Sequence, residues 1–200
     1  MGRRSLVSLV LVAILLAGCG NERSAARKLD ARPTDATNSL DYPAVGLSLE
    51  LPEGFTVERA KRPGVFRAAS GSAALSAFAY NRREELPGNQ RELEEALERL
   101  EKAAKERSSS FELSESRTLE VSGARAIELL GRQTISKSVL RTRSLHIFKG
   151  EAEYVIELLA PPEDFDRLDE RVSELIRSSL EITGDVPPAR GASEEGNAPL

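Results

Sequence analysis

Pro43-Ala44-Val45-Gly46-Leu47-Ser48-Leu49-Glu50-Leu51-Pro52-Glu53-Gly54-Phe55 is the stretch from which the fold can be read. Val45, Leu47, Leu49 and Leu51 alternate with Gly46, Ser48 and Glu50, the period-2 pattern of a strand with one buried face. Pro52-Glu53-Gly54 then supplies turn chemistry, the proline presetting φ and the glycine accepting a positive one. Phe55 and Val57 resume the apolar face. Val65 to Ala69 and Ala73 to Tyr80 read as two further strands, the second rich in small residues (Ala73, Ala74, Ala77, Ala79), as if something packs closely over it.

The pattern changes period after Pro87-Gly88. Asn89 is a good N-cap with Glu92 three residues on, a capping-box-like pair. From Gln90 to Arg107 a stripe of Leu93, Ala96, Leu97, Leu100, Ala103 and Ala104 marks an amphipathic helix. Glu95/Arg99, Glu98/Lys102 and Glu101/Lys105 lie at i,i+4 on its other faces. The stripe covers too few heptads for a sustained coiled coil, so the helix is expected to pack on its own sheet. Strands return at Phe111 to Val121, Arg125 to Arg132, Gln133 to Phe148 and Glu151 to Leu159, with Ser122-Gly123 and Lys149-Gly150 as hairpin turns. In the last strand Ala152, Tyr154, Ile156 and Leu158 face inward, and Glu151, Glu153 and Glu157 outward. Pro161-Pro162 ends it and opens a second helix, whose stripe is Phe165, Leu168, Val172, Leu175 and Ile176. Ser179 to Ile182 docks behind. The expected class is therefore α+β, an antiparallel β-sheet flanked by two amphipathic helices in an α/β/α sandwich.

This order, with Pro52-Glu53-Gly54-Phe55 after the first strand, Tyr154-Val155-Ile156-Glu157 after a glycine hairpin and Ile176-Arg177-Ser178-Ser179-Leu180 closing the second helix, resembles the PsbP/Mog-type sandwich. That fold includes bacterial envelope lipoproteins of the DcrB and LpqN kind. The resemblance covers Pro43 to Thr183 and rests on short, topological motifs. It implies an accessory, non-catalytic role as scaffold, assembly factor or binding module, and it carries over no catalytic residues.

The amino terminus supplies an address. Arg3 and Arg4 precede Leu6 to Ala17, a run of apolar residues interrupted only by Ser8. A membrane-spanning helix needs roughly 20 apolar residues, so this run has instead the length of a signal-peptide core. Leu16-Ala17-Gly18-Cys19 resembles the lipobox of bacterial lipoproteins, which implies cleavage before Cys19 and lipidation of its sulfur. An ordinary secretory leader with a chance cysteine, or an uncleaved anchor, is the competing reading. Cys19 is the one cysteine of the chain, so no intramolecular disulfide can form, and acylation is the simplest use for the thiol. Two or more acyl chains hold a membrane durably, whereas one does so only marginally.

The expected organisation is a leader at 1–18, lipidated Cys19 and a disordered tether over 19–41, the domain at 42–183 and a disordered tail at 184–200. A flexible tether of that length reaches about 25 Å. The chain has 28 basic against 32 acidic residues, and loss of the leader removes Arg3 and Arg4. That balance argues against a nucleic-acid partner, whose phosphates demand a basic face, and against general adhesion to anionic headgroups.

Chemistry is sparse in the sequence. His146 is the single histidine, and with a Lys149-Gly150 turn it would face Glu153 as an exposed cross-strand pair. Glu84-Glu85 and Asp164/Asp166 are carboxylate pairs of the kind glycosidases use, but in loop or helix-start contexts where acids are common. No nucleophile elbow, phosphate loop, dinucleotide fingerprint or metal-ligand cluster is present. Lys137, Arg141 and Arg143 interrupt the face that Ile135, Val139, Leu145 and Ile147 would bury. Unpaired buried charge is costly, so these three must reach solvent, find carboxylates or line a groove, the last as an anion- or partner-binding lip. The expected function is a membrane-anchored, non-catalytic envelope lipoprotein with an envelope protein partner. The alternative is a module for a small lipid or organic anion, and a hydrolase with an unrecognised site comes third. The expected location is the outer face of the bacterial cell membrane, or the outer membrane where the host has one. No cofactor is expected beyond the covalent lipid on Cys19.

Overall fold

The computed structural model describes residues 36–82 and 84–187. The leader, Cys19, most of the tether and the tail from 188 onward lie outside them. Ten strands and two helices follow in order: β1 (Thr37–Tyr42), β2 (Leu47–Pro52), β3 (Thr56–Arg59), β4 (Gly64–Ser70), β5 (Ala73–Asn81), α1 (Gln90–Arg107), β6 (Glu112–Val121), β7 (Ala124–Ile135), β8 (Ser138–Lys149), β9 (Ala152–Ala160), α2 (Pro162–Ser179) and β10 (Glu181–Ile182). They form a seven-stranded sheet in the order β3-β4-β5-β9-β8-β7-β6 and a three-stranded sheet in the order β1-β2-β10. Every pairing is antiparallel.

The large sheet is covered on both faces. On one, Leu47, Leu49 and Leu51 of β2 and Phe165, Leu168, Val172 and Ile176 of α2 pack with Phe66, Leu75, Ile147, Tyr154 and Ile156 as the main core. On the other, Leu93 and Ala96 of α1 pack with Ile127, Leu129 and Phe148 as a smaller core. The alternation of β2 and the stripes of both helices thus describe real burial: Leu51 and Phe165 have no exposed surface. Asn89 caps α1, its side-chain oxygen accepting from the Glu92 amide at 3.0 Å, while Glu92 accepts from the Gly88 amide at 2.7 Å. The exposed ion pairs along α1 join Arg91 to Glu95 and Lys102 to Glu106.

Three expectations need correction. The folded unit is longer than 42–183 at both ends. Thr37–Tyr42, expected to be tether, is an edge strand paired with β2. Val186, expected to be tail, is buried, and its carbonyl accepts from Asn81 Nδ2 at 2.9 Å. The long segment 133–148 is not one strand, because β7 and β8 meet at a two-residue turn, Ser136-Lys137, both residues at positive φ. Lys137 therefore sits at a hairpin tip and not on a strand face. Beyond the Arg132–Arg141 pair this hairpin outruns its neighbours, leaving Ile135 and Val139 exposed rather than buried. The β8–β9 turn also falls one residue later than expected, with Lys149 opposite Ala152.

Tyr154 ties the two sheets together. Its hydroxyl donates to the Val45 carbonyl at 2.8 Å and accepts from the Gly184 amide at 3.2 Å, in a site with no exposed surface. Removing one partner of buried groups leaves them unsatisfied, at about 1–3 kcal/mol. Tyr154→Phe should lower unfolding free energy by about that amount in urea titration, with protection lost first at the amides around Val45 and Gly184 in hydrogen exchange.

Candidate functional site

Because both faces of the sheet are covered, charged residues on its central strands must be paired inside the protein, and two polar clusters result. The first lies under α2. Arg117 on β6 and Glu128 on β7 are cross-strand partners, and Arg117 Nε donates to Glu128 Oε2 at 2.7 Å. Arg143 on β8 approaches the same oxygen at 2.6 Å and forks onto Asp169 of α2, Nη2 to Oδ2 at 2.6 Å. Ser173 completes the group by donating to Asp169 at 3.2 Å. Glu128 and Asp169 are buried. Burial opposes the Arg143 charge, but its bonds to Asp169 and Glu128 prevail and hold the guanidinium protonated beyond its usual range. Arg141, two residues earlier, pairs with the exposed Asp166 at 2.6 Å and lies 4.4 Å over the Phe165 ring. Of the three fates open to these cations, Arg141 and Arg143 have found carboxylates, so neither presents a free lip to solvent. The cavity lined by Glu128, Arg143 and Ser173 is a void of about 20 Å³, room for about one water.

The second cluster lies on the α1 face. His146, Ser144 and Thr142 of β8 and Glu153 and Glu157 of β9 share this face with Phe148 and Tyr80. His146 Nδ1 is 2.7 Å from Glu153 Oε1, and His146 Nε2 is 2.9 Å from Ser144 Oγ. Arg82 Nη1 lies 3.2 Å from the other Glu153 oxygen, and the Tyr80 hydroxyl also bonds to that carboxyl. The expected exposed pair of His146 and Glu153 is thus a buried one, 6% and 1% accessible. Its members are diagonal neighbours, since His146 opposes Val155 and Glu153 opposes Phe148. Burial works to raise the Glu153 pKa, but bonds from His146, the Arg82 charge and Tyr80 outweigh it and hold the carboxyl below its usual range. An ionised Glu153 can only accept, so Nδ1 carries the proton of that bond, and in the neutral ring Nε2 then turns its lone pair toward Ser144.

Ser144 opens on a cleft of about 200 Å³ between the carboxyl end of α1 and the sheet. Its floor is Leu129, Thr142, Ser144 and Glu157, and Phe111 forms a wall. Phe111 can lie so low because residue 131 is glycine: a Cβ there would stand 2.8 Å from the ring and 2.6 Å from the Glu112 carbonyl. Thr142 is 3% accessible, and its Oγ1 has no partner. Glu157, directly opposite Ser144 on β9, has its pKa raised by burial against the attraction of Arg107 and His146. Among the described residues there is no group of side chains suited to a metal ion and no helix long and apolar enough to cross a membrane.

No protein-family model matches the chain, and no curated protein does. Solved structures do. The cyanobacterial PsbP (CyanoP) of Synechocystis sp. PCC 6803 is similar over 84% of this chain and 98% of its own, with 14% identity and a TM-score of 0.56. LpqN, involved in cell envelope biogenesis of Mycobacterium tuberculosis, is similar over 74% of this chain and 91% of its own, with 12% identity and a TM-score of 0.53. At such identities the likeness is one of fold, and the α+β sandwich of this chain is PsbP-like.

The two clusters make different demands on stability. Removing one partner of a buried ion pair costs about 3–5 kcal/mol, whereas an exposed pair is worth about 0–1 kcal/mol. Arg143→Met should therefore shift the urea midpoint several times further than Arg141→Met. On the other face, a raised folded pKa makes Glu157 stabilising below the ordinary carboxylate range and increasingly unfavourable as pH rises through the folded value. The depressed Glu153 does the reverse: its contribution is present at neutral pH and lost as pH falls through the folded value. At pH 7 Glu157→Gln should raise the melting temperature and Glu153→Gln lower it, and both differences should shrink below about pH 4.

Proposed function

We propose that this chain is an exported lipoprotein, held at the outer face of the membrane by acyl chains on Cys19, whose domain serves as an accessory binding module of the envelope. The observation that carries the binding role is the cleft at the end of α1. Between α2 and the large sheet the space is filled by side chains and ion pairs, and wider, more open grooves run along the small sheet; the cleft at the end of α1 differs in having Arg107, Thr142, Ser144 and Glu157 converge on it. Its volume is below the roughly 300 Å³ at which drug-sized pockets begin, so it fits a small organic molecule or one group of a larger one. The Leu16-Ala17-Gly18-Cys19 motif supports the anchor, and the envelope role of LpqN, a protein of similar fold, supports the setting. A second reading, contact with an envelope protein, draws on Ile135 and Val139, exposed beside Lys137 on the β7–β8 tip.

Anchor and cleft are testable in the same cells. Labelled palmitate should enter the wild-type chain and not Cys19→Ser, and Cys19→Ser should leave the membrane fraction. A photoreactive residue replacing Gln133 at the cleft should capture a small molecule in intact cells, whereas the same residue replacing Glu98 on the exposed side of α1 should not. Palmitate absent from the wild type would remove the anchor. A neighbouring protein captured from position 133, with no small molecule, would transfer the binding role to the second reading.

A further inference from the structure

We propose that Ser144 is a nucleophile, activated by His146 and oriented through Glu153, and that the cleft receives the acyl group of a small ester. This goes beyond binding, which needs no polarised hydroxyl. It rests on two hydrogen bonds in series that join the right atoms: Ser144 Oγ to His146 Nε2 at 2.9 Å and His146 Nδ1 to Glu153 Oε1 at 2.7 Å. A nucleophile bonded to a base that is itself oriented by a third group is the arrangement nucleophilic catalysis requires. The burial gradient agrees with it. Ser144 is half-buried and lines the cleft, and of the buried pair behind it His146 turns Nε2 toward Ser144 and so toward the cleft, while Glu153 lies deeper.

A buried histidine needs a partner on each ring nitrogen for the sake of the fold alone. It does not need one of those partners to face an open cavity. With Nδ1–H committed to Glu153, Ser144 donates to Nε2, and the remaining lone pairs of Oγ are free to face the cleft. Glu153 is a positioning residue here, held by Arg82 at 3.2 Å.

Attack by Oγ on an ester carbonyl forms the Oγ–C bond while the hydroxyl proton passes to Nε2. The resulting oxyanion collapses, the bond to the leaving alcohol breaks, and the alcohol departs with the proton from His146. Water, deprotonated by His146, then attacks the acyl-serine, releasing the carboxylic acid and restoring the serine. Ser144 is mid-strand, with its amide inside the sheet, so donors to the oxyanion must be side chains. Arg107 at the cleft is one; the Thr142 hydroxyl, next on the same face, is buried without a partner and has no surface to offer a substrate. Glu157 stands opposite Ser144, and its displacement toward the neutral acid lessens its repulsion of an oxyanion. Leu129 and Phe111 offer apolar contact to a short acyl chain.

The test uses the full-length chain, purified in detergent and incubated with an alkyl fluorophosphonate, which transfers its phosphonyl group to activated serines with loss of fluoride. One label, located at Ser144 by peptide mass spectrometry, is expected. Ser144→Ala should abolish it, with an unchanged circular-dichroism spectrum. His146→Gln should slow it about 10²–10⁴-fold, the range of general-base assistance. A melting curve on each variant separates loss of the base from loss of the fold. Should His146→Gln fail to fold, the pH profile of wild-type labelling replaces it, and the rate must rise with deprotonation of a single group. Absence of label at Ser144 in the wild type, or labelling of folded His146→Gln at the wild-type rate, overturns the proposal. Neither result bears on the anchor or on capture at Gln133.

Discussion

The seven-stranded sheet is covered by α2 and the small sheet on one face and, over most of the other, by α1 and the segment before it, so its central strands have little water-facing surface on which to place charge. An unpaired buried ion is too costly to keep, and the chain answers with closed groups. Under α2, Glu128 accepts from two arginines and Arg143 is shared between two carboxylates. Under α1, Glu153 is held by a histidine, an arginine and a tyrosine. Each group joins residues from three or four elements, so each also fixes register: a slip of one residue in β8 would carry Arg143 to the α1 face and His146 to the α2 face.

The elements legible in the sequence are those whose signal is local. β2 alternates cleanly, α1 carries its own cap, and α2 begins at a proline whose missing amide belongs to a position that has no helical partner anyway. The tip of the β7–β8 hairpin has no such signal. Turns with both central residues at positive φ favour Asn-Gly or Gly-Gly, and Ser136-Lys137 fills the turn with residues seldom seen there. Without that turn the odd positions from Ile135 to Ile147 looked like one strand face, and Lys137 looked like part of it. β1 was hidden for another reason: as an edge strand of half-exposed and exposed residues it has the composition of a linker, and only its pairing with β2 makes it a strand.

The site was legible in its parts and not in its assembly. Ala124, Ala126, Glu128 and Leu130 share one face of β7, so the inward carboxylate could have been found by asking what meets Arg143. The pair of His146 and Glu153 was found, but a turn placed one residue early made it directly opposed, and an outward face was equated with an exposed one. A sheet with a helix on each side has no such face where a helix lies. Ser144 gave no signal at all, since a serine on a strand becomes notable only when a ring nitrogen is seen beside it.

What remains is why the α1 face carries a cleft rather than a filled core. α1 runs along β6 and β7, and where it ends at Arg107 the floor formed by β8 and β9 continues uncovered. Folding alone would favour branched aliphatic residues there. The chain instead places Thr142, with a buried hydroxyl lacking a partner, and Glu157, with a desolvated carboxyl, on that floor. An unsatisfied buried hydroxyl costs about 1–3 kcal/mol, a large fraction of the net stability of a domain of this size. Sites where local stability rules are broken with no gain to packing are those at which function is expected. Here two such breaches flank the one serine that a histidine polarises.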